Sequence, residues 1–278
     1  MDEPTVIAAL LTPFGEDGRP DVAILQEHVA FLASQGVDAV MPAGTTGEGP
    51  LLDDDEVVKL VAAAVTAGGG RITVLAHVGR PATDATVRLA RRALGAGADG
   101  VSAVVPYFYA LEDGQILDHY RAVTGAMGDV PTYAYTIPAR TGNELSPAVV
   151  AKLADEGVAG LKDSTKSVER HREYLDATRG RPFRILMGSD GLVLDALRAG
   201  AAGCVSAVAN ARPDLLVRLK HAFVDGDEPR AERLQAELSA VREELGRGTA
   251  LTGIKRATAA VLRDRGVAYP ERLRGPLG

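Results

Sequence analysis

The chain is poor in the residues that mark several common protein classes. It has one cysteine and no tryptophan among 278 residues. A single cysteine excludes a disulfide within the chain, and we expect Cys204 to be a core residue in a strand. The five histidines are scattered through the sequence without the spacing of a zinc site. The sequence therefore predicts neither a disulfide framework nor a metal site.

Long apolar runs and blocks of like charge are also missing. No apolar run approaches the roughly 20 residues that a membrane-spanning helix needs. The first residues, MDEPTVIAALLTPF, carry acids where a signal peptide would carry a basic segment. The formal charge of -6 arises from acids and bases interspersed along the whole length, so no basic block is available to neutralise a nucleic-acid backbone. We expect a cytoplasmic protein that binds neither nucleic acid nor a membrane.

What the sequence does contain is a regular alternation of strand-like and helix-like segments. Eight short segments rich in Val, Ile and Ala are bounded by Gly, Pro or Asp, at residues 5–11, 38–44, 72–78, 100–106, 131–137, 158–164, 184–190 and 203–209. Stretches with helical spacing of apolar residues follow most of them. Such alternation predicts parallel strands covered on both faces by helices. The acidic run at 53–56 fits the capping box of a helix start better than a metal site.

Eight β/α units predict a protein of the α/β class with a (β/α)₈ TIM barrel. A doubly wound open sheet is the alternative, but the first strand is not followed by the GxGxxG turn that a dinucleotide fold needs. After the eighth strand the chain continues with charged, helical sequence and no flexible linker. We therefore predict a single domain over residues 1–278, with the barrel core at 1–211 and extra C-terminal helices, a helical appendage, at 212–278.

A lysine occupies an unexpected position near the end of the sixth predicted strand. Lys162 lies in the otherwise apolar run EGVAGLKDST, and active sites of such barrels lie at the C-terminal ends of the strands. An amine in an apolar barrel mouth is desolvated, which favours its neutral and nucleophilic form. Such an amine can form a Schiff base with a ketone. The alternative is a structural lysine that pairs with Asp163 or another acid at the rim.

Two other strand ends carry candidate residues. The loop AGTTGEGP at 43–50 offers backbone N–H groups and two hydroxyls that could hold a carboxylate. Tyr133 and Tyr135 point to the same side of the fifth predicted strand, where a tyrosine either relays protons or fills the core. Arg140 follows them, and it either binds a substrate carboxylate or caps a helix.

Together these segments resemble one known family. The segments GTTGE (44–48), VVPYFY (104–109), YTIPARTG (135–142), GLKDS (160–164), and those at 188–190 and 203–210, occur in the order and spacing of the dihydrodipicolinate synthase / N-acetylneuraminate lyase family. The resemblance covers nearly the whole chain. It implies a (β/α)₈ barrel that forms a homotetramer or homodimer and uses no metal and no organic cofactor. It also implies a class I aldolase or lyase that forms a Schiff base with pyruvate or a related 2-oxo acid.

The same resemblance implies roles for eight residues. The catalytic ones are Lys162 as the Schiff-base former, Tyr135 as the general acid and base, and Thr45, which is linked to the tyrosine hydroxyl. The substrate-binding ones are Thr46 and Gly47 in the carboxylate loop, Arg140 for the carboxylate of a second substrate, Val205 through its backbone carbonyl, and Tyr107.

The sequence departs from the family after the fourth predicted strand. The family usually has a tyrosine as the second residue after the proline, and this tyrosine reaches into the neighbouring subunit's site. Here Pro106 is followed by Tyr107 and then Phe108, so that hydroxyl is absent unless Tyr107 or Tyr109 substitutes for it. Gly49-Pro50 is closer to the 2-keto-3-deoxy-sugar-acid aldolases, whereas the arginine of ARTG is typical of the synthases.

We therefore expect a pyruvate-dependent aldolase or lyase that makes or breaks a C–C bond of a 2-oxo acid. Its substrate would be like a 2-keto-3-deoxy sugar acid or a hydroxy-oxo acid, and its partner would be an aldehyde. One alternative is 4-hydroxy-tetrahydrodipicolinate synthase, which condenses pyruvate with aspartate semialdehyde. A dehydratase of the same family and a non-catalytic barrel that binds an oxo acid are the others. The sequence leaves the aldehyde, the reaction direction and the stereochemistry open.

Overall fold

Strands and helices alternate along the chain in a computed structural model that describes residues 3–246 and 250–278. The strands within these residues are β1 Thr5–Ala8, β2 Ala39–Val40, β3 Thr73–His77, β4 Gly100–Val104, β5 Thr132–Thr136, β6 Gly160–Asp163, β7 Arg184–Met187 and β8 Gly203–Ser206. The helices are α1 Val22–Ser34, α2 Asp54–Gly68, α3 Thr83–Gly95, α4 Asp113–Met127, α5 Pro138–Thr141, α6 Pro147–Asp155, α7 Val168–Ala177, α8 Val193–Ala199, α9 Pro213–Val224, α10 Glu228–Leu245 and α11 Ala250–Arg263.

The eight strands form one closed parallel barrel in the order β1 to β8. The barrel closes where β8 pairs with β1, with Ala8 opposite Ser206. The (β/α)₈ barrel with extra C-terminal helices that the sequence predicts is therefore confirmed. The strands are shorter than predicted, and β1 and β8 end at these two residues. The apolar residues beyond them, such as Leu10 and Ala209, stay buried in the loops at the barrel mouth without extending the ladder.

Alternate residues of the strands line the inside of the barrel. Leu75 and Val205 belong to a small buried cluster that is separate from the larger core between strands and helices. Successive side chains of a strand point to opposite faces, so His77 lies on the same inner face as Leu75, one layer nearer the C-terminal end. By the same alternation Tyr135 and Lys162 point inward, and they are register partners on β5 and β6. The inner layer at the barrel mouth is therefore partly polar.

Local sequence signals set the helix starts. Asp53 accepts a hydrogen bond from the backbone N–H of Glu56, and the Glu56 carboxylate accepts one from the backbone N–H of Asp53. This reciprocal capping box begins α2, which confirms that the acidic run is a helix start. Ser146 caps α6 in the simpler way, by accepting from the backbone N–H of Val149.

The C-terminal helices and the segment after them fold back onto the barrel mouth. Lys255 of α11 forms a buried ion pair with Glu48, which follows β2 in the chain, at 2.7 Å. The backbone N–H of Arg274 donates to the same carboxylate, and its guanidinium pairs with Glu56. The C-terminal segment is thus fastened to the loop after β2. Among the described helices, none is both long and apolar enough for a membrane crossing.

Candidate active site

Lys162 is a buried lysine near the C-terminal end of β6. It is 5% exposed, and its Nζ lies 4.0 Å from the centroid of the Tyr135 ring. Asp163 points to the opposite face of β6, where its carboxylate bonds Thr165 and the Nδ1 of His171. Within residues 3–246 and 250–278, no carboxylate oxygen lies within 4.0 Å of the lysine amine. The alternative that Lys162 pairs with Asp163 or another acid is therefore wrong.

Tyr135 connects this lysine to the loop after β2. Its hydroxyl lies 3.2 Å from Oγ1 of Thr45, and its ring lies against the amine of Lys162. The structure thus brings together three residues that are predicted to be catalytic, although they come from three different strand ends. A tyrosine hydroxyl that is hydrogen-bonded on one side and adjacent to an amine is placed to carry a proton.

The loop after β2 presents backbone N–H groups beside Thr45. Glu48 adopts a left-handed conformation with φ of 59°, which turns the loop sharply. A side chain at Gly47 would meet the backbone oxygen of Leu10 at 2.6 Å, so only glycine fits there. Among the described residues, the backbone N–H groups of Thr45, Thr46 and Gly47 have no hydrogen-bond acceptor. They remain available for a carboxylate.

A cavity of about 770 Å³ opens at this end of the barrel, a size typical of small-molecule sites. Its polar lining includes Thr45, Thr46, His77, Tyr107 and Arg140. Its apolar lining includes Ile137 and four residues of the C-terminal part, namely Leu251, Ile254, Pro276 and Leu277. Among the described residues, those lining the cavity do not include Lys162, Tyr135 or Val205. These three side chains lie deeper, on the inner face of the barrel.

Arg140 places a guanidinium at the cavity wall. It lies in the single turn of α5 and is exposed. Among the described residues, no carboxylate pairs with its guanidinium. An unpaired guanidinium on a cavity wall can bind a carboxylate through two parallel hydrogen bonds.

The three aromatic residues after β4 lie in different environments. Tyr107 is half-buried and lines the cavity. Burial raises the pKa of its hydroxyl, and the nearby charge of Arg80 opposes this shift. Phe108 is 85% exposed with φ of 84°, and Tyr109 is 71% exposed. Of these three side chains, only Tyr107 lines the cavity of its own chain.

Two features of the site were not found from the sequence. Glu48 is fully buried between the amine of Lys255 and the backbone of Arg274. The sequence offers one signal for it, its position in a loop of small residues. Its burial is not foreseeable from the sequence, because a buried acid needs a partner and the partners of Glu48 lie far away in the chain. Arg80 is the second feature, since its guanidinium bonds the carbonyls of Gly49 and Leu52 and so ties the loop after β3 to the loop after β2.

His77 is a further residue of the site that the sequence does not reveal, because a single histidine at a strand end shows no metal-ligand spacing. It is 4% exposed, lines the cavity, and lies edge-on to the Tyr135 ring with centroids 5.8 Å apart. Burial, with added effects from the charges of Lys162 and Arg80, lowers the pKa of His77 from 6.5 to about 3. The imidazole is therefore neutral at neutral pH.

The histidines and the cysteine do not form a metal centre in the part of the chain described. No group of three or more His, Cys, Asp or Glu side chains within residues 3–246 and 250–278 is arranged to hold a metal ion. Cys204 is buried in β8, and burial raises the pKa of its thiol. Cys204 is thus a core residue of a strand, as the sequence predicts.

Known proteins resemble this chain over nearly its full length. The model of the dihydrodipicolinate synthetase family matches residues 3–278. An uncharacterized DapA-like lyase of Halobacterium salinarum is 42% identical over 91% of this chain and 82% of its own length. A 4-hydroxy-tetrahydrodipicolinate synthase of Methylococcus capsulatus is 36% identical over 86% of this chain and 82% of its own length.

Solved structures show the same similarity in three dimensions. The crystal structure of dihydrodipicolinate synthase from Aquifex aeolicus superposes with a TM-score of 0.92 and 33% identity, covering 99% of this chain and 92% of that one. YagE, a prophage protein of the dihydrodipicolinic acid synthase family from E. coli K12, was solved in complex with pyruvate. It gives a TM-score of 0.92 and 27% identity, covering 98% of this chain and 92% of its own.

Proposed function

The chain belongs to the dihydrodipicolinate synthetase family and is a class I lyase, and on this premise we propose that Lys162 forms a Schiff base with pyruvate or a closely related 2-oxo acid. One observation carries the proposal: the buried amine has no carboxylate partner among the described residues and lies 4.0 Å from the ring centroid of Tyr135. An amine that is not held in an ion pair can attack the carbonyl of a bound oxo acid. The complex of YagE with pyruvate supports pyruvate as the oxo acid.

The loop after β2 would hold the acid group of the substrate. The free backbone N–H groups of Thr45, Thr46 and Gly47 face no acceptor among the described residues, and a carboxylate would satisfy them. With the carboxylate held there, the adjacent C2 carbonyl is directed toward Lys162. The amine attacks C2 to give a carbinolamine, and loss of one water from this intermediate gives the iminium ion.

Tyr135 would carry the protons of these steps. Its hydroxyl is hydrogen-bonded to Thr45 and its ring lies against the Lys162 amine. When the C3–C4 bond breaks, its electron pair moves into an enamine, while the C4 hydroxyl loses its proton to Tyr135 and an aldehyde leaves. The enamine is then protonated at C3, and water releases pyruvate and the free amine. The reverse sequence forms the C–C bond.

The second substrate would lie in the cavity above, against Tyr107 and Arg140. We propose a hydroxy-oxo acid or a 2-keto-3-deoxy-sugar-acid-like compound as the species that is cleaved or made. The side chain of Val205 packs in the cluster inside the barrel, and its backbone carbonyl would be near the imine, as the family resemblance implies. Tyr107 is the aromatic residue after β4 that lines the cavity of its own chain, so it is the candidate to supply a hydroxyl in place of the one absent at Phe108.

A specific observation also favours the synthase as a second candidate. The guanidinium of Arg140 lines the cavity without an acidic partner among the described residues, and it would suit the carboxylate of aspartate semialdehyde. The similarity to 4-hydroxy-tetrahydrodipicolinate synthases at 34–36% identity supports this candidate. Phe108 counts against it, because the phenol that synthases usually place at this position is missing.

Reductive trapping tests the Schiff base directly. We expect incubation with pyruvate and borohydride to add pyruvic acid less one oxygen atom to Lys162, as measured by intact and peptide mass spectrometry. The Lys162→Arg variant should show no adduct, whereas Lys152→Arg, which changes an exposed lysine of α6, should react like the parent protein. No adduct with the parent, or an adduct spread over surface lysines, would overturn the proposal.

A substrate panel separates the candidate reactions. Rapid condensation of pyruvate with aspartate semialdehyde would favour the synthase. Cleavage of 4-hydroxy-2-oxo acids to pyruvate and an aldehyde would favour the lyase, and loss of water with the carbon chain intact would favour the dehydratase. A Lys162→Ala variant that binds its ligand as tightly as the parent protein would instead favour a non-catalytic barrel.

Phe108 and Tyr109 support a homodimer or homotetramer. They are 85% and 71% exposed and form an edge-to-face pair with centroids 5.1 Å apart. Two adjacent exposed aromatic residues fit a protein–protein contact. Sedimentation velocity of the parent protein and of Phe108→Glu would test this proposal, because the charge should shift the assembly toward monomer. A cytoplasmic location stays a prediction from the sequence.

A further inference from the structure

The buried histidines differ in what their rings bond. Three of them hold one hydrogen bond each: His28 Nε2 with the carbonyl of Asn210 at 3.1 Å, His119 Nδ1 with Thr83 at 2.9 Å, and His171 Nδ1 with Asp163 at 2.9 Å. His77 has no side-chain partner: the backbone of Ser102 is the hydrogen-bonding group beside its ring, and its fully buried Nδ1 is without a partner among the described residues. Buried polar groups in native proteins are nearly always paired, so a buried ring nitrogen without a partner needs an explanation.

The position of His77 suggests that its partner is a ligand. The residue ends β3 and points into the barrel, where it lines the cavity together with Thr45 and Thr46. Its ring lies edge-on to Tyr135, the same ring that contacts the Lys162 amine. His28, His119 and His171 do not line the cavity. Of the four buried histidines, His77 is therefore the one that a substrate can approach.

The cavity has a polar side and an apolar side. His77, Tyr107 and Arg140 follow from the ends of β3, β4 and β5, which are neighbours in the barrel. The apolar side comes from the C-terminal part of the chain, through Leu251, Ile254, Pro276 and Leu277. A substrate that fits both sides carries oxygen atoms along one edge and hydrocarbon along the other.

We propose that His77 is a specificity-determining residue that hydrogen-bonds the oxygen on C4 of the substrate, so that the site selects 4-hydroxy-2-oxo acids with a short apolar tail over polyhydroxylated sugar acids. The inference rests on the proposed function, because it takes the carboxylate as held by the loop after β2 and C2 as bound to Lys162. The carbon chain of the substrate beyond C3 then lies along the cavity. His77 lies edge-on to Tyr135, the group that takes the proton from the C4 hydroxyl.

The chemistry of the ring suits a hydrogen-bonding role. A histidine whose pKa is lowered to about 3 stays neutral at neutral pH, so it does not add a second positive charge beside the iminium ion. A neutral imidazole presents one N–H donor and one lone-pair acceptor. It can therefore donate its N–H to the C4 oxygen, both in the hydroxyl before cleavage and in the aldehyde after it, while the hydroxyl proton moves to Tyr135.

Two related oxo acids test the contact through the intact five-carbon adduct that each leaves on Lys162, which differs in mass from the pyruvate adduct left after cleavage. We measure the rate of borohydride trapping with 2-oxopentanoate, which has no oxygen on C4, and with 4-hydroxy-2-oxopentanoate. The His77→Phe variant should slow trapping of the 4-hydroxy compound by about 10-fold or more and change that of 2-oxopentanoate by less than about threefold, since only one of them loses a hydrogen bond. His77→Gln, whose amide can also donate a hydrogen bond, should recover part of the difference.

Matched controls separate this outcome from structural damage. His119→Phe removes an equally buried histidine outside the cavity and should leave both trapping rates unchanged. Equal slowing of both compounds in His77→Phe and His77→Gln, or no change in either, would overturn the inference while leaving the proposed function intact. A parent protein that prefers polyhydroxylated acids would also overturn it. Failure of the parent to trap any oxo acid, pyruvate included, would overturn the proposed function itself.

Discussion

Two lysines are buried near the same barrel mouth in opposite surroundings. Lys255 lies 2.7 Å from the carboxylate of Glu48 and donates a hydrogen bond to the carbonyl of Arg272 at 2.6 Å. Burial lowers its pKa, and the hydrogen bond and charge of Glu48 oppose that shift. Lys162 has neither kind of contact among the described residues, and its amine faces the ring of Tyr135.

The difference shows how one residue type serves two purposes. A buried lysine whose charge is matched by a buried carboxylate holds two segments together, because separating them would leave a charge unpaired in the protein interior. Here that pair fastens α11 to the loop that carries Thr45. A buried lysine without such a match is available to react, because no ion pair has to break before its amine attacks a carbonyl.

Removing the unpaired amine should produce the largest effect of all. We expect Lys162→Met to lower kcat/KM by roughly 10⁴-fold or more, the scale of losing a covalent nucleophile. The free energy of unfolding should stay equal or rise, because an apolar side chain replaces a buried amine without a carboxylate partner. Steady-state kinetics and urea unfolding measure the two quantities. A large loss of stability in this variant would contradict the comparison, because it would mean that Lys162 stabilises the fold as Lys255 does.

Removing the paired amine should instead reduce stability. Lys255→Met leaves Glu48 buried without its partner, and we expect the free energy of unfolding to fall by about 3–5 kcal/mol. Folded protein should still form the adduct on Lys162, at a reduced rate if the loop with Thr45 shifts. Urea unfolding checks the first expectation, and trapping below the unfolding transition checks the second.

The double variant Lys255→Met with Glu48→Gln serves as the control for that experiment. It removes both charges, so it should be more stable than Lys255→Met alone. A double variant that is no better than the single one would mean that packing, and not the uncompensated carboxylate, causes the loss.

Acid should act on both regions through their buried histidines, with a smaller effect. Burial lowers the pKa of His28, which lies edge-on to Tyr269 on the C-terminal side, to about 4, and that of His77 on the Lys162 side to about 3. In the unfolded chain each of these histidines gains its proton near pH 6.5. Between that pH and the lower pKa of the folded state, the unfolded chain therefore holds more protons than the folded one. The free energy of unfolding should therefore fall as the pH drops from 6.5 toward 4, by on the order of 2–3 kcal/mol per histidine.

Urea unfolding at pH 7 and pH 4.5 measures that dependence. His28→Phe and His77→Phe should each flatten it by a similar amount, because each removes one buried group that must gain a proton on unfolding. If only one of the two variants flattens the profile, the regions differ in acid sensitivity as well as in their lysines.

The sequence predicted the features that depend on local spacing. The alternation of apolar strands with helical segments gave all eight strands, and the capping box of Asp53 and Glu56 gave the start of α2. Lys162 was found because a charged residue near the end of an apolar run is unusual and because barrel sites lie at strand ends. These signals are local, since the period of the side chains and the strand order both follow from neighbouring residues in the chain.

The contacts at the site depended on closure of the barrel. Period two along β6 indicates that Lys162 and Asp163 face opposite sides, but only the folded chain shows that His171 satisfies the acid and leaves the lysine without a carboxylate partner among the described residues. The meeting of Thr45 with Tyr135 was expected only from the family resemblance, because no spacing rule joins two strand ends so far apart.

The sequence by itself thus determined the barrel, its strands and the unusual lysine. The tertiary structure decided that Glu48 is buried against Lys255, that Tyr107 and not Phe108 lines the cavity, and that His77 lines it beside the ring of Tyr135. The physical reason is that secondary structure follows from local periodicity. Burial, charge pairing and pKa values depend instead on which distant residues the closed barrel brings into contact.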